Sequence, residues 1–78
     1  MKQDEAPAAA AAAAALDTDR LVMLRVVEDI VGLKRTRIYK LIRESDFPPP
    51  YKPGGAGSRW SESEVRAWVE RIKRARAA

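Results

Sequence analysis

The chain has 78 residues, with fifteen Lys or Arg against eleven Asp or Glu, no histidine, no cysteine and a formal net charge of +4. That length suits one small domain and leaves no room for a substrate cleft with a second domain. Without thiols or imidazoles, disulfides, thiolate metal sites and the commonest catalytic nucleophile and base are excluded, so neither an enzyme nor a protein with a metal or cofactor is expected.

Residues 1–19 are Ala-rich and set Lys2 against Asp4, Glu5, Asp17 and Asp19. Alanine favours helix, yet an isolated tract of this length is marginal in water, so a flexible N-terminal tail is expected. The acids near Lys2 and the weak hydrophobicity of alanine argue against a signal peptide, and no membrane span is indicated. A cytoplasmic location is therefore expected. The remaining fourteen cations and seven acids give residues 20–78 a charge of +7, a field that attracts polyanions. The seven carboxylates in that stretch show no metal-ligand spacing.

Residues 20–24, Arg-Leu-Val-Met-Leu, form a β-prone run too short to stand alone, predicted to pair with a later extended segment. Val26, Val27, Ile30 and Val31 then form an apolar run that stops at Gly32. A helix, a Gly-containing turn of about three or four residues and a second helix make a helix-turn-helix. In the second helix, a rotation of about 100° per residue gathers Ile38, Leu41 and Ile42 on one stripe. Thr36, Lys40 and Arg43 fall nearly opposite, with Arg37 and Tyr39 on the flanks. Lys34, Arg35, Arg37, Lys40 and Arg43 all precede the first acid, Glu44, and this nearly unopposed charge marks the candidate recognition helix. The alternative is an ordinary charged surface helix preceded by a capping glycine.

Phe47-Pro48-Pro49-Pro50-Tyr51-Lys52-Pro53 cannot be helical and is predicted to be an extended arm. Gly54-Gly55-Ala56-Gly57 then reverses the chain, and Ser58-Arg59-Trp60 returns as a short strand. The resulting β-hairpin is a wing, with Lys52 and Arg59 near its tip where they can reach phosphate or a minor groove; the alternative is a solvated linker. Ser61-Glu62-Ser63-Glu64 reads as a capping box, Ser61 accepting from the amide three residues on while Glu64 reaches back. Val65, Trp68, Val69 and Ile72 supply the core stripe of the last helix, and Arg71, Lys73, Arg74 and Arg76 suit its negative end. Trp60 and Trp68 read as core residues rather than base-stacking platforms. The predicted fold is mainly α with a small β-hairpin: a winged helix-turn-helix of three helices plus short strands over residues 20–78.

The ordered string of Arg20-Leu21, Gly32-Leu33, Ile38-Tyr39, Phe47-Pro48, Arg59-Trp60, Glu64-Val65 and Ala67-Trp68 resembles the AlpA family of phage and prophage transcriptional regulators. These are relatives of the small excisionases with a MerR-like winged helix-turn-helix. The likeness covers about residues 20–72 and implies a regulator that binds double-stranded DNA in phage or mobile-element genes, with the transcription machinery or a recombinase as protein partner. Carried over by position, Arg35, Thr36, Arg37 and Lys40 match the family's major-groove reading segment, and residues 54–59 match its wing. Tyr39 is a fixture of the family's recognition helix, and packing and phosphate contact both stay open for it. Relatives usually carry Ser-Arg-Ser-Thr where this chain has Lys34-Arg35-Thr36-Arg37. That puts a lysine in place of the capping serine, with positive charge at the positive helix end.

The expected mechanism is that lysines and arginines neutralise phosphates while Arg35, Thr36 and Lys40 meet base edges. A monomer this small presents one helix and one wing, so a homodimer, repeated sites or DNA bending is expected to supply the remaining specificity. Two alternatives are an excisionase-like protein that bends attachment-site DNA for a recombinase, and an adaptor whose basic helix docks an acidic protein partner.

Overall fold

The computed structural model describes residues 19–77. The Ala-rich tail expected over residues 1–19 lies outside the described residues except for Asp19. The described chain runs β1 (Leu21–Val22), α1 (Leu24–Val31), α2 (Arg35–Arg43), β2 (Trp60–Ser61) and α3 (Glu62–Ala77). It is mainly helical, and its three helices and small antiparallel sheet form a winged helix-turn-helix.

β1 and β2 are antiparallel, with Leu21 opposite Ser61 and Val22 opposite Trp60. The Glu62 amide extends the pairing by donating to the Arg20 carbonyl at 2.9 Å. The β-prone run therefore does find the returning segment, but only over two residues. Met23 has already turned to serve as the N-cap of α1, its carbonyl accepting from the amides of Val26 and Val27 at 3.0 and 3.2 Å.

α1 stops at Gly32, whose φ of 76° is a left-handed value that suits glycine; its amide returns to the Glu28 carbonyl at 2.8 Å. Residues 32–34 make the turn, and α2 starts at Arg35. α2 ends in a Schellman arrangement: the Asp46 amide donates to Leu41 O at 2.8 Å and the Ser45 amide to Ile42 O at 3.0 Å. The left-handed position there is held by Ser45 at φ 62°, not by a glycine.

Val22, Val27, Ile38, Phe47, Trp60 and Val65 form the buried core, one from each strand and helix and one from the segment after α2. The apolar stripe predicted on α3 packs on the core through Val65 and Trp68, with Val69 half-buried, but not through Ile72, which is 48% exposed. The reason is length: sixteen residues of α3 outrun the eight of α1 against which it packs. Both indoles are structural, as expected, and each also ties down the proline arm. Trp60 Nε1 donates to Pro48 O at 3.1 Å, and Trp68 Nε1 to Asp46 O at 2.7 Å. Phe47 sits edge-on to Trp68 with ring centroids 4.9 Å apart.

The N-terminus of α3 keeps half of the predicted capping box. The Glu64 amide donates to Ser61 Oγ at 3.2 Å, while the Glu64 carboxylate turns outward to accept from the Tyr51 hydroxyl at 2.7 Å. Asp19 supplies a different cap, accepting from Ser61 Oγ at 2.6 Å and from the Ser63 amide at 2.9 Å.

Candidate nucleic-acid interface

The exposed side of α2 follows from its period. With Ile38 fully buried and Leu41 and Ile42 half-buried on one side, Arg35, Thr36, Arg37, Lys40 and Arg43 are left open to solvent on the other. Arg35, Thr36, Tyr39 and Arg43 line one shallow depression along this face. Tyr39 is half-buried, its ring edge-on to Trp60 at 6.1 Å between centroids, so it packs at the helix margin while lining the depression.

Lys34 occupies the N-cap with extended backbone and makes no capping hydrogen bond, and the first turn of α2 carries no acid. The expected loss of the serine cap is therefore uncompensated by a side chain. The positive helix end, Lys34, Arg35 and Arg37 together concentrate positive potential at one corner of the face. Lys40 pairs with Glu44 at 3.6 Å, with both side chains about half exposed, a contact of little strength in water. Lys34, Arg35, Arg37 and Arg43 form no ion pair among the described residues.

The wing supplies the second group. Its arms meet at a single antiparallel bridge, the Tyr51 amide donating to Arg59 O at 2.6 Å and the Arg59 amide to Tyr51 O at 2.8 Å. The Gly55 amide folds the tip back by donating to Lys52 O at 2.9 Å. Lys52 is exposed, with Nζ 3.1 Å from Ser58 Oγ; Arg59 is half-buried and donates through a guanidinium nitrogen to Ser58 O at 2.9 Å. The predicted hairpin is thus one bridge deep, and Arg59 is more committed to its own strand than Lys52 is.

The residues that hold these groups were less visible in the sequence. Tyr51 joins the wing to α3 through Glu64, and the neighbouring carboxylate raises its phenol pKa above the ordinary value. Glu62 receives Arg20 at 2.7 Å and Arg66 at 2.9 Å, and these partners, Arg20 foremost, hold its carboxyl below the ordinary range. Asp19 is lowered too, first by its hydrogen bond from Ser61. The capping box was the available signal for Glu64, and a Tyr beside prolines the available signal for a docked arm. Nothing local pointed to Asp19.

The fold is a winged helix-turn-helix with an open cationic helix face. Residues 20–74 match the family described as prophage CP4-57 regulatory protein (AlpA), and the chain belongs to that family. It is therefore a member of a family of prophage regulatory proteins. It is also similar to the uncharacterized protein ORF88 of Enterobacteria phage P4, with 41% identity over 51 residues, covering 65% of this chain and 58% of that protein. The chain thus spans less than two thirds of the length of this curated relative. No solved structure matches. Among the described residues no helix is long and apolar enough to cross a membrane.

Proposed function

We propose that this protein is a sequence-specific DNA-binding regulator of phage or mobile-element genes, acting by occupying duplex DNA rather than by catalysing a reaction. α2 enters the major groove, and the wing lies on the backbone or in the adjacent minor groove. The observation that carries this reading is the division of α2. Ile38 is sealed in the core, while Arg35, Thr36, Arg37, Lys40 and Arg43 stand open on the other side with one exposed ion pair among them.

Lysines and arginines supply the salt-dependent part of the affinity by displacing counterions from phosphates. Arg35, Thr36 and Lys40 supply base contacts, Arg suiting guanine and the threonine methyl suiting thymine. Tyr39 packs edge-on to Trp60, so its hydroxyl rather than its ring face is the part offered to a phosphate. One helix and one wing give the footprint of a single module, so a homodimer or cooperative assembly on repeated sites completes the specificity.

Selection of bound sequences from random duplex DNA at stated salt is the test. Enrichment of a defined motif is expected, and its symmetry and repeat spacing give the stoichiometry. Recovery of sequences no different from the starting pool, with binding insensitive to salt, would overturn the reading.

A further inference from the structure

The segment between α2 and β2 has few ways to be held. Pro48, Pro49, Pro50 and Pro53 have no amide hydrogen, so this stretch attaches to the body through carbonyls and side chains. The two indole bonds end at Pro48. Beyond Pro50, Tyr51 has both functions in hand: its backbone closes the wing against Arg59, and its hydroxyl docks on Glu64 in the first turn of α3. That turn is fixed in place by Ser61 and by Asp19. The wing tip, residues 52–57, is wholly exposed and packs on nothing in the core.

We infer that the Tyr51–Glu64 hydrogen bond is the latch that sets the angle of the wing against the body, making both of them positioning residues for Lys52 and Arg59. The inference rests on the DNA-binding reading for its consequence, although the latch itself is a property of the free protein. It also explains why Glu64, placed at the third helical position, does not reach back to complete its capping box. Its carboxylate is spent on the wing, while Asp19 takes the Ser63 amide of the same turn. A carboxylate beside a DNA-facing wing repels phosphate, so its presence there calls for a role, and accepting the phenol hydrogen is that role.

The test combines Tyr51→Phe, Glu64→Ala and the double variant of the full chain, with Glu64→Gln as the conservative control. In the free protein, amide hydrogen exchange at Arg59 reports the Tyr51–Arg59 bridge directly. Tyr51→Phe and Glu64→Ala are each expected to speed it about three- to tenfold, while the amide of Val65 in α3 stays unchanged. The double variant is expected to be no faster than either single one, and Glu64→Gln, which keeps an acceptor oxygen, to restore most of the protection. On DNA, Tyr51→Phe is expected to weaken binding about three- to tenfold with the same motif preference. Wild-type exchange at Arg59 in Tyr51→Phe, or exchange effects that multiply in the double variant, would overturn the latch. Failure of the wild-type protein to bind DNA would overturn the functional reading instead, and the exchange of the free protein would still decide the latch.

Discussion

Trp60 donates its indole N–H to the carbonyl of Pro48 at 3.1 Å while its ring is completely buried among Val22, Ile38 and Val65. One side chain thus fills the centre of the core and anchors the proline arm that leads to the wing. Trp60→Phe keeps an aromatic ring but leaves a void and removes the donor. A loss of about 1–3 kcal/mol is expected, read as a lower urea midpoint with an unchanged slope. A midpoint equal to that of the wild type would contradict this double role.

Ser45 closes α2 in the left-handed region at φ 62°, where an L side chain is strained and glycine is not. Ser45→Gly is expected to raise stability by about 0.5–1 kcal/mol, the relief of strain exceeding the added freedom of the unfolded chain. Thermal unfolding that shows a lower midpoint would reverse that balance.

Lys34 at the uncapped start of α2 sets stability against binding. Lys34→Ser restores a capping side chain and is expected to stabilise the fold by about 1 kcal/mol. The same change removes a cation from the face proposed to meet DNA, so the slope of log affinity against log salt should fall by about 1. A variant that is both more stable and equally salt-dependent would mean that Lys34 faces no phosphate.

The proposed division of labour between α2 and the wing separates base readers from backbone holders. Arg35→Ala or Thr36→Ala should relax base preference by about 1–3 kcal/mol at one or two positions of the site. Lys52→Ala should weaken all sequences alike and flatten the salt slope. Arg59→Ala should do so less, because Arg59 is half-buried with its guanidinium on the Ser58 carbonyl, whereas Lys52 is exposed. Equal losses on specific and random DNA for both groups would defeat the assignment.

Acid should loosen the start of α3. The carboxyls of Asp19 and Glu62 are both held below their ordinary values of 3.8 and 4.5, by Ser61 and by Arg20 respectively as the leading partners. A carboxyl lowered in the folded state binds its proton less readily there than in the unfolded chain. Its contribution is therefore complete above the unfolded value and is lost as pH falls through the folded one. Stability should hold from neutrality to about pH 5 and decline below about pH 4.5, and Glu62→Gln should flatten that decline. An unaltered acid limb in Glu62→Gln would remove Glu62 from the account.

What could be read from the sequence was local. Gly32 ended one helix and the apolar period of Ile38, Leu41 and Ile42 oriented the next, because both signals lie within a few residues of the structure they specify. The prolines likewise forced an extended arm, and Ser61 announced its helix. The misjudged features depend on distant partners. Glu64 had the right spacing to cap its own helix but found a better donor in Tyr51, thirteen residues away. Ile72 had the right period, yet a period cannot say where the facing body ends. Asp19 read as the last residue of a tail because its partners lie at Ser61 and Ser63, across the whole domain. Among the site residues the exposed face of α2 was legible from its charges, whereas the partial commitment of Arg59 to Ser58 was not, since it arises from how the wing folds back.

The cap on α3 is supplied from a position 42 residues before Ser61, and β1 meets β2 across almost the same span. Both α1 and α2 therefore lie inside a loop that closes only when the two distant ends of the domain meet. The helix-turn-helix is bracketed by that closure, so folding should proceed as one late, concerted event rather than helix by helix, with the cationic face of α2 assembled only once the circuit is complete.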